Sequence, residues 1–318
     1  MDPLTHAALG AASSQAIFGK YNKRIPWQVG ALAAMAPDLD IFIPCTDNPL
    51  CMESIHRSFT HGLLFIPLGG CIVALFLMCF FSYRNHWKIT FGAAVIGYAT
   101  HALLDALTSY GTVLLWPFSY QRFSWDIIAI VDPIFTVVLI LGIAWTIIFK
   151  EQKGVLLGLA CALLILLFNG IQHHRAIQTI KSFAKDQQVH FRDIRAIPEL
   201  ASSTHWRGLA KYNQCLMIAA VATPIVNKST LRTLDRLPLF DKLLHAPLPP
   251  KQQQDVLIFS WFSDDYTIIA KQTPLILADG RYTIGNNPLY ALWGIKISAQ
   301  NEHVSKSNYL LLNETCAD

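Results

Sequence analysis

The chain has 318 residues, of which 53% are hydrophobic and 14% charged, with a mean hydropathy of +0.36 and a net charge of +4. An ordinary soluble domain carries about 25% charged residues, so this composition excludes a disordered protein and argues against a wholly soluble enzyme. The small net charge points to no nucleic-acid partner.

Charge is unevenly spread. Residues 1–170 hold 9 Lys/Arg and 9 Asp/Glu, and residues 171–318 hold 16 and 12. The expected fold class is mainly α. A polytopic helical membrane bundle of about 4–6 helices is expected over residues 1–170, a linker helix over 171–190, and a small mixed or mostly β soluble domain over 191–318.

In chain order, Thr5–Phe18 and Ile25–Ala36 are short apolar segments rich in Ala and Gly. Gly62–Phe81 has no charge and is long enough to cross a hydrocarbon core of roughly 30 Å. Ile89–Leu107 is apolar except for His101 and Asp105. Ile127–Phe149 is interrupted by Asp132-Pro133, which reads as an N-cap with proline at the first helical position. Gly154–Phe168 is purely apolar. Residues 1–19 lack the basic and apolar regions of a cleavable signal peptide.

Three connections, 19–25, 82–88 and 150–154, contain Lys20, Lys23, Arg24, Arg84, Lys88, Lys150 and Lys153 against the single acid Glu151. If each apolar segment reverses direction, these connections share a face, and the positive-inside rule makes it cytoplasmic. The expected location is a membrane, with these connections on its cytoplasmic side. The 37–61 and 105–126 loops and everything after residue 170 would then be non-cytoplasmic. Cys71, Cys79 and Cys161 lie in apolar spans and read as core packing. Cys45 and Cys51 flank a short loop, where a disulfide and two free thiols are both open.

Ionisable groups at membrane depth are costly and call for a reason. His6, Asp38, Asp40, His56, His61, His101, Asp105, Asp126 and Asp132 all fall near the ends of apolar segments on one expected face. His101 and Asp105 are four apart, one helical turn, and can hold a divalent cation between them, face two adjacent ions, or form a plain hydrogen bond. Asp38 and Asp40 follow Pro37. In an extended stretch they point the same way and repel unless a cation or proton intervenes; solvation of a helix end is the alternative. Thr60 is expected to cap the helix that starts at Gly62, with His61 in its first turn and His56 in the loop, so that both imidazoles meet in one pocket. Arg57 between them is a candidate phosphate clamp or an interfacial arginine. His6 sits one turn into the first helix, as a ligand or as a polar group at the membrane surface. Asp126 reads as interfacial. Neutral imidazoles plus carboxylates without a thiolate cluster suit Zn²⁺ or a similar divalent ion. Peptidase, serine-hydrolase and NTPase motifs do not occur.

The ordered set of motifs resembles the YdjM-like family of membrane-bound metal-dependent hydrolases over roughly residues 1–170. It comprises Met-Asp-Pro-Leu-Thr-His-Ala-Ala-Leu-Gly at 1–10, Ala-Pro-Asp-Leu-Asp at 36–40, His-Arg-Ser-Phe-Thr-His-Gly at 56–62, and His-Ala-Leu-Leu-Asp at 101–105 with Thr108 and Gly111. Trp-Pro-Phe at 116–118 and Asp132-Pro133 complete it. The resemblance implies a helical membrane bundle with a His/Asp metal site whose ligands are drawn from His6, Asp38, Asp40, His56, His61, His101 and Asp105. It also implies a distant likeness to zinc-dependent phospholipase C and P1-type nucleases, whose His-x-x-x-Asp pair His101 and Asp105 fit.

After residue 170, His173-His174-Arg175 reads as an interfacial anchor and Ala176–Gln188 as a short helix. β-like runs are expected at Cys215–Val226, Val256–Phe262, Tyr266–Ala270, Pro274–Ala278, Arg281–Ile284 and Ala291–Ser298. Turns are expected at Asp279-Gly280 and over residues 285–288. Trp206, Trp261 and Trp293 are expected in the core or at the membrane interface.

The expected function is an integral membrane metal-dependent hydrolase of phosphoesters, with lipid-linked ones favoured by location and the lipid bilayer as partner. Asp38 and Asp40 would set the charge at the ions and Arg57 would bind the phosphate. The competing expectations are an ion or proton transporter using the same Asp/His set, and a membrane scaffold with a structural metal.

Overall fold

The computed structural model describes residues 1–46, 48–241, 248–286, 289–298 and 300–316. Its helices are α1 (Pro3–Phe18), α2 (Ile25–Met35), α3 (Cys51–Ile55), α4 (Phe65–Leu77), α5 (Phe81–Arg84), α6 (Trp87–Leu107), α7 (Pro133–Phe149), α8 (Lys153–Asp186) and α9 (Pro250–Phe262). The chain forms two compact units. The first comprises Met1–Ile43, Ile55–Ile171 and Leu200–Ser203; the second comprises Pro44–Ser54, Gln172–Glu199 and Thr204–Asp318.

In the first unit, α1, α2 and α6 approach closely because glycines face one another. A Cβ on Gly30 would lie 2.3 Å from the carbonyl oxygen of Gly10, and one on Gly97 would lie 2.4 Å from that of Gly30. Small residues at helix crossings are how apolar helices gain contact without a hydrophobic drive from lipid. Ile25, Val29, Ala33, Ala74, Ala93 and Ala94 fill one part of this core. Leu139, Val155 and Ala162 fill another, where α7 and α8 meet at Gly142 and Gly158. Outward-facing residues of these two helices, such as Leu141, Ile148, Leu163 and Leu164, are exposed and apolar, as lipid contact requires.

The helices α6 and α8 are long and apolar enough to cross a membrane, and a third span is counted if α4 and the bent segment before it are taken together. Two expected spans are shorter than the sequence pattern indicates. Gly62–Phe81 is helical only over Phe65–Leu77, after a bend of 86°. Pro67 has no N–H and is tolerated in the first turn, so α4 starts just before it. Ile127–Val131 is non-helical because the N–H groups of Ile127 and Ile128 bind the carbonyl of Leu107, and α7 then begins at Pro133. Asp132 caps α7 as expected, accepting from the Phe135 N–H at 3.0 Å.

In the other direction, Gly154–Phe168 and Ala176–Asp186 belong to one continuous helix of 34 residues, so the linker helix expected over 171–190 is the C-terminal part of α8 and not a separate element. His173 and His174 lie within it. Cys79 is exposed and Cys71 and Cys161 are half-buried, so these thiols do not pack in a core.

The second unit is built on two antiparallel sheets. The first is the meander β1 (Asp193–Pro198), β2 (His205–Tyr212), β3 (Cys215–Ala222) and β4 (Thr230–Pro238). The second contains β5 (Thr267–Lys271), β6 (Ile276–Asp279), β7 (Thr283–Ile284), β8 (Tyr290–Lys296) and β9 (Ser305–Leu311), in the order β5-β6-β8-β7 with β9 also on β8. Leu209, Leu216, Ile218, Leu237, Tyr266 and Ile268 form a shared core. Trp206 is fully buried against Ile180 and Met217.

The expected strand Val256–Phe262 is instead part of α9. Pro250 occupies the first helical turn, and Gln252, Asp255, Val256, Phe259 and Phe262 are buried at helical spacing. Cys45 is bonded to Cys51, and Cys215 to Cys316. Asn287 and Pro288 of the turn expected at 285–288, and Asp47 of the loop between Cys45 and Cys51, lie outside the described residues.

Candidate metal centre

Four side chains from three places in the first unit converge. Asp38 lies in a 3-10 helix over Pro37–Phe42, His61 in a second over Phe59–His61, and His101 and Asp105 on α6. Asp38 Oδ1 is 3.5 Å from His61 Nε2 and 3.3 Å from His101 Nε2. Asp105 Oδ2 is 3.4 Å from each of the same nitrogens, and the two nitrogens are 3.0 Å apart. All four residues offer a ligand atom within 4.8 Å of the others. A tetrahedral Zn²⁺ with N and O ligands at about 2.0–2.1 Å has ligand–ligand edges of roughly 3.3 Å. The observed separations match those edges.

The tautomers follow from the partners. His101 Nδ1 lies 2.6 Å from the carbonyl oxygen of Ala34, which can only accept, so Nδ1 carries the proton. Thr60 Oγ1 donates its one proton to Asp40 Oδ2 at 2.8 Å, so it accepts from His61 Nδ1 at 2.9 Å. When neutral, both rings therefore present a bare Nε2 lone pair to the same point. Asp38 Oδ1 and Asp105 Oδ2 also face it, buried and without an aligned hydrogen bond. Four such lone pairs meeting at one point repel unless a cation or a proton stands between them. The donor set fits a divalent ion on this ground, and the Nδ1 partners supply the orienting contacts that imidazole ligands of metals normally have.

Asp38 and Asp40 do not point the same way. The 3-10 turn aims Asp38 at His61 and His101, and turns Asp40 to His56 Nδ1 at 2.7 Å, Thr60 and the Arg57 N–H at 3.2 Å. The extended conformation behind the sequence expectation is not adopted. Burial pushes the Asp40 carboxyl up, but the hydrogen bonds from His56 and Thr60 outweigh it and hold the group below the usual carboxylate range. Burial acts the same way on Asp38, and hydrogen bonds from Nε2 of the facing His101 and His61, when those atoms carry protons, hold it down as well. Both remain carboxylates. Thr60 does not cap α4, whose N-cap is Leu64, and instead bridges Asp40 to His61.

The remaining expected residues surround the four. His56 pairs with Asp40, with its ring centroid 5.9 Å from that of His61. His6 stacks on His101 at 3.7 Å and reaches the other oxygen of Asp105 at 3.1 Å; the α-amino group of Met1 lies against that same oxygen. Arg57 is buried, its Nε 3.1 Å from Asp105 Oδ2 and its guanidinium 4.4 Å from the Tyr110 ring centroid. Its backbone is left-handed, with φ 61, a strained state for a residue with a side chain and one concentrated at functional sites.

Sequence reasoning assigned no part to the Ala34 carbonyl, Tyr110, or Tyr98, whose hydroxyl donates to the Thr60 carbonyl at 2.9 Å. The adjacency of Thr60 to His61 was the one available signal for the bridge.

Apolar spans and an inward-facing His/Asp cluster define an integral membrane protein with a group of side chains able to hold a metal ion. Residues 1–176, more than half the chain, match the family described as YdjM inner membrane protein, and the chain belongs to that family. Comparison with curated proteins found no match, and comparison with solved structures found none.

Proposed function

We propose that the chain is a membrane-embedded, metal-dependent hydrolase of phosphoesters, with Zn²⁺ as the favoured ion. The observation that carries this reading is the convergence of Nε2 of His61 and His101 and one carboxylate oxygen each of Asp38 and Asp105 at tetrahedral spacing. Asp38, His61, His101 and Asp105 would hold the ion. A bound divalent ion supplies Lewis acidity and makes water a stronger nucleophile at neutral pH.

The other residues orient and bind. Asp40 and Thr60 hold the His61 tautomer, and Ala34 holds that of His101. Arg57 lies against Asp105 and offers a guanidinium for phosphate oxygens. The Asp38 side chain is 25% exposed while those of the other three are fully buried, so substrate and water reach the cluster past Asp38. Leu39, Ile41 and Phe42 on the same 3-10 segment are exposed and apolar, which suits lipid-linked substrates. The two disulfides of the second unit favour an oxidising, non-cytoplasmic compartment for it, in agreement with the basic connections.

The test is paired: metal content and turnover on a phosphoester panel, with ion flux in proteoliposomes from the same preparations. Asp38→Asn keeps the shape and removes one charge. It is expected to lower turnover by orders of magnitude while the protein still inserts. Flux without turnover would establish the transporter reading. Bound metal with neither activity would establish a structural metal.

A further inference from the structure

The end of the helical unit away from the metal centre holds a second site. A cleft of about 420 Å³ lies where α1 ends and α6 begins. Trp87 opens α6 and His101 is 14 residues further on, so about 21 Å of helix at 1.5 Å per residue separates cleft from cluster. Phe18, Tyr21, Trp87 and Ile89 form apolar walls, and His86 and Lys88 add polar groups. Acidic side chains are absent from the lining. The Lys88 ammonium lies 5.5 Å from the Trp87 ring centroid, and that of Lys20 lies 4.8 Å from the Tyr21 ring centroid. Both aromatic rings are largely exposed, at 54% for Trp87 and 65% for Tyr21. The first turn of α6 has no side-chain cap, so the positive end of its dipole adds to the same field.

We propose that this cleft binds an anionic phospholipid, with its upper acyl chain against the aromatic wall and its phosphate facing Lys88 and Lys20. An apolar wall alone would take any lipid. Cations without a compensating acid select a lipid with net negative charge over a zwitterionic one, as basic pockets between membrane helices do. Free phosphate satisfies the cations and leaves the aromatic wall in water. The site uses none of the residues of the metal cluster.

The experiment titrates the delipidated full chain in detergent with phosphatidylglycerol, with phosphatidylcholine of the same chains, and with inorganic phosphate, reading the melting temperature and native mass spectra. Phosphatidylglycerol is expected to bind and raise the melting temperature, phosphatidylcholine to bind at least about fivefold more weakly, and phosphate to have no effect. Lys88→Gln should weaken phosphatidylglycerol about fivefold, and the double variant with Lys20→Gln about 25-fold. Trp87→Ala should weaken both lipids. These side chains are exposed, so the variants fold. Lys153→Gln, an exposed lysine that pairs with Glu151 and lies outside the lining, should change nothing. Equal binding of the two lipids, a shift reproduced by phosphate, unchanged affinity in Lys88→Gln, or an equal loss in Lys153→Gln would each overturn the proposal.

Discussion

The imidazole of His101 donates through Nδ1 to the backbone carbonyl of Ala34 at 2.6 Å, across 67 positions of sequence. That bond joins α6 to the end of α2 and leaves Nε2 as the only lone pair His101 can offer. It makes the metal centre a property of helix packing as much as of the four side chains.

His101→Ala and Asp105→Ala are each expected to lose bound metal, since removing one ligand weakens the hold of the rest. His174→Ala, an exposed histidine of α8, should keep it. Elemental analysis of the purified variants checks this. Equal metal in all three would reduce His101 and Asp105 to a structural hydrogen bond.

The bridge from Asp40 through Thr60 to His61 predicts a graded effect. Thr60→Val removes the hydroxyl at nearly constant volume and should weaken metal about 10–100-fold, with Thr60→Ser close to the parent. Competition against a chelator of known affinity measures it. Unchanged affinity in Thr60→Val would detach Asp40 from the centre.

The crossing of α1, α2 and α6 tolerates no side chain at Gly30, where a Cβ would meet the Gly10 carbonyl oxygen at 2.3 Å and Ser14 Oγ at 2.4 Å. Gly30→Ala should destabilise the bundle by about 1–3 kcal/mol. Gly170→Ala is the matched control: nothing beyond its own stretch of helix backbone lies within 4 Å of its Cβ position, and alanine favours the helix by about 0.5–1 kcal/mol. Thermal denaturation in one detergent should separate them in opposite directions.

Sidedness has its own check. Alkaline phosphatase fused at the C-terminus should be active and green fluorescent protein fused there dark. The bond between Cys215 and Cys316 spans 101 residues, and Cys316→Ser should cost the second unit about 2–5 kcal/mol. A dark-to-bright reversal of the fusions, with thiols that alkylate without reductant, would place the unit in the cytoplasm.

Much of this was legible in the sequence wherever a single local period decides the outcome. His101 and Asp105 share a helix face because they are four residues apart, Asp132-Pro133 starts α7 because aspartate caps and proline fits the first turn, and the charge-poor first half belongs to a membrane protein because lipid solvates no charge. Only the tertiary structure decided which of seven candidate ligands meet. Asp38 reaches the cluster and Asp40 stands behind it because Pro37–Phe42 turns as a 3-10 helix rather than running extended, and Thr60 becomes a bridge because α4 starts at Phe65. The same holds for Val256–Phe262, whose β-like composition gave way to the helical period set by the residues before it, and for Cys215 with Cys316, which no spacing rule pairs. Local period is encoded in neighbouring residues. Convergence depends on how segments tens of residues apart pack, and no short stretch of sequence carries that information.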